Sequence, residues 1–356
     1  MRIERIAMRD FRSYEDAELE LGAGLTIVYG ANGAGKTNLL EALYFGCTAR
    51  SFRTTNERNL PRFGAGSTRV VLSGRDEDGP HELAIGFVPG ELKRMTSDGA
   101  PVERLAGVAH RPLASVFSPD RLELVKGGPG LRRAHLDQFV AALWPARAAT
   151  RRAYHEALAQ RNALLARVRG GRSSSEALSS WNATLAEAGV LLAADRAAAC
   201  ARIEEGFATH ALELGLGGVA SLSYRRRSSA QSAEQLAGEL AERLDADLSR
   251  GYTTHGPHRD ELLLARDGRE LRAFGSQGEQ RLALLALLLA ERDALAAERA
   301  RPPLMLLDDV MSELDVAARA RLAGELRRGG QSVVTATELE HVPGWDAADV
   351  VRIEVP

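Results

Sequence analysis

The chain has 356 residues, 26% of them charged and 45% hydrophobic, with a formal net charge of −2. That is a globular composition with room for two or three domains and a large core, and it excludes a uniformly basic nucleic-acid coat while leaving room for a local basic surface. Two cysteines, Cys47 and Cys200, exclude a disulfide framework and a C-x-x-C metal pair and suit a reducing cytosol. The longest strongly apolar run, Leu282–Ala290, is too short to span a bilayer, and no apolar h-region follows Met1, so the expected location is cytoplasmic, with any membrane reached only through a partner.

In chain order, Ile3, Ile6, Met8 and Phe11, then Leu19 and Leu21, predict one or two strands leading into a buried strand at Leu25–Tyr29. A helix is expected from Asn38 to Tyr44. Short runs at Arg69–Ser73 and Glu82–Val88, with turn signals at Asp78-Gly79-Pro80, Pro89-Gly90 and Asp98-Gly99, predict antiparallel strands over residues 68–97, and Leu113–Phe117 is a further short strand. From Pro119 to about Leu214 the apolar spacing turns helical. Pro145 breaks it, and Gly170–Ser175 forms the turn of an antiparallel helical pair. A strand at Ser221–Tyr224, a helix at Glu234–Leu248 and a hairpin of Glu261–Arg266 with Glu270–Arg272 follow. The last third alternates: helix Gln277–Ala297, strand Leu304–Leu307, helix Val316–Arg328, strand Ser332–Ala336, a parallel α/β pattern.

The most specific motif is Gly30-Ala31-Asn32-Gly33-Ala34-Gly35-Lys36-Thr37, the phosphate-binding loop pattern, between its strand and its helix. Glycines let consecutive N–H groups turn toward a phosphate, and the helix N-terminus adds positive potential. Lys36 is placed for the terminal phosphates of ATP and Thr37 for Mg²⁺. Only three of the 46 basic residues are lysines, which makes a chance match improbable. Leu304–Leu307 ends in Asp308 and Asp309; the first is expected to hold Mg²⁺ through water and the second to orient or activate the attacking water. Ser276-Gln277-Gly278-Glu279-Gln280 opens a long helix and resembles the ABC-type signature, with Gln277 where glycine is usual. Thr337 follows the strand Ser332–Ala336 at the position where transporter ATPases carry His. His255 and His258 lack further Cys/His partners for a metal site.

Taken together, these motifs resemble the RecF family, bacterial recombination-repair ATPases of the ABC/SMC group. The resemblance rests on Asp10-Phe11-Arg12-Ser13-Tyr14, the loop 30–37 with Asn38-Leu39-Leu40-Glu41-Ala42, Ser51-Phe52-Arg53, Phe117-Ser118-Pro119-Asp120, Val125–Pro129 with Arg132-Arg133 and Leu136-Asp137, Gly256-Pro257-His258-Arg259-Asp260, Ser276–Glu279, and Leu306–Val310 with Ser312-Glu313-Leu314-Asp315. It implies an α/β fold: an ABC/SMC-like P-loop ATPase head with an N-terminal antiparallel β subdomain and an inserted α-helical arm. The parts expected are residues 1–117 (loop and β subdomain), 118–250 (arm) and 251–356 (signature, acidic strand and interface loop). By the same resemblance Arg12 and Asn38 approach the nucleotide, Ser276 and Gly278 act in trans on a partner's ATP, and Lys36, Asp309 and Ser276 are the catalytic set. The implied partners are double-stranded DNA and its single-/double-strand junctions, RecO and RecR, indirectly RecA, and a second copy in an ATP-dependent homodimer. The implied chemistry is weak, DNA-dependent ATP hydrolysis used as a switch.

The sequence departs from ABC-type heads in having no Gln between Asn38 and Asp137. The alternative reading, an ABC-type ATPase subunit of a transporter, needs that Gln and a switch His and has neither. A GTPase needs an Asn/Thr-Lys-x-Asp motif, and neither Lys93 nor Lys126 supplies it. Candidate DNA contacts are Arg53, Arg58, Arg132, Arg133, Arg151, Arg152 and Arg225–Arg227, through phosphate contacts that carry no base information.

Overall fold

A computed structural model describes the whole chain, Met1–Pro356. It divides into two compact units, Met1–Arg121 with Leu295–Pro356, and Leu122–Ala294.

The first unit holds two sheets. Arg2–Phe11 and Tyr14–Glu20 form a hairpin, and Arg2–Phe11 also pairs with Thr68–Asp76 in an antiparallel sheet that continues through Gly79–Phe87, Arg94–Ser97 and Ala100–Pro101. The spacing Ile3, Ile6, Met8 is not strictly alternate. A register shift between Ile3 and Arg5 absorbs the extra residue, so all three side chains reach the core. The second sheet is wholly parallel, in the order Val351–Glu354, Leu25–Tyr29, Ser332–Ala336, Leu304–Leu307, Ala114–Phe117. Its three central strands are almost continuously apolar because both faces are covered. Val351–Glu354 is the one strand of this sheet absent from the sequence expectations; its alternating Val-Arg-Ile-Glu pattern is that of a half-exposed edge.

Helix Lys36–Thr48 sits in the core shared by the two sheets, with Leu39, Leu40, Leu43 and Phe45 buried among Ile6, Phe11, Val28 and Val333. Gly46 permits this approach, since a Cβ there would lie 2.6 Å from the Leu72 side chain. The sheets are stitched by buried Gln331, whose amide donates to the carbonyls of Ile3 (2.5 Å) and Gly22 (2.8 Å) and accepts from the Ile3 N–H (3.1 Å).

In the second unit, helices Ala148–Arg169 and Leu178–Leu214 flank the expected turn and follow helix Pro129–Leu143, with Pro145 between. Tyr154, Ala157, Leu185, Leu192, Leu236 and Leu240 form one apolar cluster, and Leu164, Leu165 and Leu178 another. The expected helix at Glu234–Leu248 is two helices, Ala233–Glu242 and Leu244–Arg250, with a break at Arg243. The expected second hairpin strand is shorter: only Arg269–Glu270 pairs, and Leu271–Phe274 is a helical turn that buries Leu271. Strand Glu261–Arg266 pairs along its whole length with Ala220–Arg225, and residues 251–294 belong to the same compact unit as the helices.

Two buried arginines organise this unit. Arg161 donates to Asn182 Oδ1, Asp247 Oδ2 and Thr253 Oγ1, each at 2.7 Å. Arg196 holds both oxygens of Asp137 (2.7 and 3.0 Å) and the Pro257 carbonyl (2.7 Å). Paired carboxylates and these acceptors offset the cost of burying the two charges, although Arg161 Nη2 stays buried without a partner.

Candidate nucleotide-binding site

The phosphate loop leaves the strand Leu25–Tyr29 and enters helix Lys36–Thr48 at the carboxyl edge of the parallel sheet, where ligand crevices of open α/β sheets form. Its glycines are needed for different reasons. Gly30 has φ 148°, and a Cβ there would lie 2.2 Å from the Val355 carbonyl oxygen; Gly33 has φ 86° in open space. Gly35 has φ 112° and faces the Ser13 hydroxyl, while Tyr14 donates its hydroxyl to the Gly35 carbonyl at 3.2 Å. Burial pushes the Tyr14 phenol up to about 12, so it stays a donor.

Lys36 is nearly buried and folds back over its own loop, donating to the carbonyls of Gly30 (2.6 Å) and Ala31 (2.8 Å). The Thr37 hydroxyl meets both oxygens of Asp308, at 2.9 and 3.0 Å. The two come from strands that are not neighbours: Ser332–Ala336 lies between the strands that deliver them. Its Thr335, wholly buried, donates to Asp308 Oδ1 at 2.9 Å and accepts from the Asp309 N–H at 2.8 Å. Thr335 is the site residue that sequence reasoning missed; its only signal is a hydroxyl inside the apolar run Ser332–Ala336. Burial raises the Asp308 carboxyl above the usual range and the Asp309 charge adds to this, while the bonds from Thr335 and Thr37 and the nearby Arg53 oppose it. Asp309 itself is half-buried with φ 47°.

Thr37 Oγ1 and Asp308 thus form a cluster of hard oxygen donors at the mouth of the loop, a donor set that fits Mg²⁺. Asn38 is held by Ser13 (Nδ2 to Oγ, 2.9 Å) and by Arg53 (Nη1 to Oδ1, 2.9 Å). Arg12 faces Glu41 and the Asn59 carbonyl (2.6 Å). Thr337 lies 3.4 Å from His341 Nδ1, and Ala31, Asn32 and Gly33 are exposed along the loop.

Ser276 and Gly278 belong to the second unit and are exposed. Ser276 caps its helix reciprocally with Glu279: the Glu279 N–H donates to Ser276 Oγ at 3.3 Å and the Ser276 N–H to Glu279 Oε2 at 2.8 Å. Asp315 caps helix Val316–Arg328 through the Ala318 N–H at 2.7 Å.

Gly256-Pro257-His258-Arg259-Asp260 is an internal joint of the second unit. Gly256 has φ 123°, and a Cβ there would lie 2.9 Å from the Tyr154 hydroxyl. That hydroxyl lies 2.7 Å from His258 Nδ1, and Asp260 accepts from Tyr224 and from the Arg227 N–H (2.6 Å). His255 lies 2.5 Å from Glu239, so the two histidines serve different contacts. Among the candidate DNA contacts, Arg132 is a correction. It is 3% exposed, grips both oxygens of Glu261 (2.8 and 3.1 Å) and caps three carbonyls of the turn before its helix. Arg133 donates to the Asp260 carbonyl at 2.8 Å, and Arg151 lies 3.1 Å from Asp137. Arg58, Arg152, Arg225 and Arg227 are exposed.

With this geometry in place, the chain can be compared with known proteins. Residues 5–85 match the AAA domain family. The DNA replication and repair protein RecF of Anaeromyxobacter sp. (strain Fw109-5) is 39% identical, with 98% of this chain and 96% of that protein covered. Its counterpart from Streptomyces avermitilis is 36% identical over 97% and 95%. The chain belongs to the RecF family. A solved structure of the recombination mediator protein RecF with ATPrS, in the RecFOR pathway, superposes with a TM-score of 0.86 at 28% identity, covering 96% of this chain and 94% of that one. A second, of RecF with ATP, gives 0.85 at 28% identity, covering 94% and 92%. An Smc head bound to the C-winged helix domain of ScpA gives 0.58 at 16% identity, covering 99% and 94%, a likeness of fold alone. The RecF family and the Smc-like head fold both agree with the sequence expectation. No helix is long and apolar enough to cross a membrane.

Proposed function

We propose that this RecF-family chain is an ATP-operated clamp on DNA that acts in recombination repair. The observation that carries the reading is the contact of Thr37 Oγ1 with both Asp308 oxygens beside the Lys36 loop. The solved RecF structures with ATP and ATPrS support ATP as the nucleotide. Thr37 and Asp308 would hold Mg²⁺, which neutralises phosphate charge when bound. Lys36 would exchange its loop carbonyls for phosphate oxygens. Asp309, half-buried beside Asp308, orients the attacking water and takes its proton.

The exposed Ser276 and Gly278, at a helix N-terminus, complete the site of a second copy, so that ATP closes a homodimer on double-stranded DNA or a single-/double-strand junction. Hydrolysis is slow and releases the dimer. The RecFOR pathway of the solved relative supports RecO and RecR as partners; loading of RecA is the outcome this reading expects. The action is cytoplasmic. The exposed Arg58, Arg152, Arg225 and Arg227 are the DNA-contact candidates, and binding weakens steeply with salt because the contacts are to phosphates.

The test is light scattering of the hydrolysis-blocked Asp309→Asn protein with and without ATP and duplex DNA, at two salt concentrations. A dimer that appears only with ATP is expected. The same protein carrying Ser276→Arg stays monomeric while binding ATP normally; an unimpaired dimer there, or a monomer with ATP in the Asp309→Asn parent, overturns the reading.

A further inference from the structure

His81, Asp98 and His110 meet at one end of the antiparallel sheet of the first unit, away from any residue assigned above. His81 stands on strand Gly79–Phe87, Asp98 at the tip of the hairpin between Arg94–Ser97 and Ala100–Pro101, and His110 in the loop before Ala114–Phe117. His81 Nδ1 lies 2.9 Å from Asp98 Oδ2, and His110 Nε2 lies 3.8 Å from the same oxygen. The nearest ligand atoms of the three residues all lie within 4.8 Å of one another. We propose that these three side chains form a binding site for a zinc-class divalent metal ion.

The donor set argues for that class of ion. Two imidazoles and one carboxylate suit Zn²⁺, Co²⁺ or Ni²⁺, and not the hard all-oxygen preference of Mg²⁺ that fits Thr37 and Asp308. With ligands about 2.0–2.1 Å from a tetrahedral zinc, neighbouring ligand atoms stand roughly 3.3 Å apart. The 2.9 and 3.8 Å separations bracket that value, so the carboxylate has to shift by only a few tenths of an ångström. The two rings are parallel, 8° apart with centroids 3.9 Å apart, and must tilt open until both lone pairs converge.

The surroundings are built for this use. His81 Nε2 lies 3.1 Å from Asp76 Oδ1, the carboxylate–histidine arrangement that keeps the proton on Nε2 when a metal takes Nδ1. Each nitrogen of His81 therefore faces a carboxylate; in the metal-free protein an imidazolium meets both, and a bound metal takes the place of the Nδ1 proton on the Asp98 side. Arg301, 3.0 Å from the other Asp76 oxygen, balances the rear carboxylate. Asp98 is pinned by Glu82 on two sides: its N–H donates to the Glu82 carbonyl (2.8 Å) and its Oδ1 accepts from the Glu82 N–H (2.7 Å). That leaves Oδ2 as the presented atom. Asp98 is 44% exposed, which supplies an entry path and a water as the fourth ligand, whereas both His side chains are about 15% exposed. Bound metal would tie strand, hairpin tip and loop into one rigid end of the sheet.

The experiment uses the full chain, stripped with chelator and free of nucleotide. Co²⁺ is titrated and followed by its visible absorption, then displaced with Zn²⁺. One equivalent per chain with the intense bands of a tetrahedral ion is expected, and zinc should raise the melting temperature. His110→Ala and Asp98→Asn should each abolish the bands while melting like the parent in chelator; the asparagine keeps the acceptor for the Glu82 N–H. Asp76→Asn should weaken binding about 10- to 100-fold. No stoichiometric Co²⁺ spectrum in the parent, or an undiminished one in His110→Ala or Asp98→Asn, overturns the site.

Discussion

Arg12 and Glu41 form a two-point pair, Nε to Oε2 at 2.8 Å and Nη2 to Oε1 at 2.7 Å. Glu41 is wholly buried on the phosphate-loop helix and also accepts from Ser51 Oγ (2.5 Å) and Arg53 Nη1 (3.3 Å). One carboxylate thus aims both arginines that lie near the loop, and Arg12 holds this pose with φ 53°. Glu41→Ala leaves the Arg12 guanidinium, 18% exposed, without its counter-charge. The expected loss is about 3 kcal/mol of stability, read from the urea midpoint, together with weaker ATP binding read by fluorescent-nucleotide titration. Arg53→Ala, at a 41% exposed side chain, should change the midpoint little.

Thr37→Ala should leave the fold intact and remove the advantage that Mg²⁺ gives to ATP binding. The measurement is the ratio of ATP affinity in Mg²⁺ to that in EDTA, which should fall by about an order of magnitude, the loss of one ligand in a hard-oxygen site. Lys36→Arg should retain the fold and block turnover, since a planar guanidinium cannot replace the compact ammonium. Unchanged hydrolysis in that protein would remove Lys36 from the site.

The loop glycines should separate by cause. Gly33→Ala meets open space, so only its left-handed backbone is penalised, by about 1–2 kcal/mol. Gly30→Ala meets the Val355 carbonyl oxygen at 2.2 Å as well, and this carbonyl belongs to a segment held by a bond from the Val355 N–H to Tyr29. Its melting temperature should therefore fall further than that of Gly33→Ala. Equal losses would mean that the C-terminal segment yields freely.

His258 should make stability pH-dependent on the acid side. Its Nε2–H donates to the Thr253 carbonyl at 3.0 Å and its Nδ1 accepts from Tyr154, the neutral form. Burial pushes its pKa down from the ordinary 6.5 to about 4. The unfolded chain then binds more protons than the folded one between those values, so stability is full above pH 6.5 and falls as pH drops toward 4. The change reaches up to about 3 kcal/mol. His258→Gln should remove that slope, read as the difference between the two pH–stability curves; parallel curves would show that His258 does not titrate there.

Much of the candidate nucleotide site was legible in the chain. The loop Gly30–Thr37 announces itself because phosphate binding needs glycines at set places, and Asp308-Asp309, a weak signal alone, gains its meaning from following that loop in the same chain. Helix Val316–Arg328 and strand Ser332–Ala336 agree with the pattern to the residue, since apolar periodicity and clear stops at Gly329 and Gly330 define them. Arg132 went the other way. An Arg-Arg pair on a helix reads as a basic surface, and nothing local reveals that Glu261, far along the chain, takes one of the two inside.

By itself the sequence determined the family and pointed to a phosphate-loop nucleotide site, because both rest on local runs of fixed residue types. Only the tertiary structure decided which strand stands between the loop and the acids, and hence that Thr335 bridges Asp308 and Asp309. It also decided that Glu41 governs Arg12, and that His81, Asp98 and His110 meet at one end of a sheet. These are pairings between residues far apart or unremarkable in sequence. Strand order and register set them, and no local periodicity carries that information.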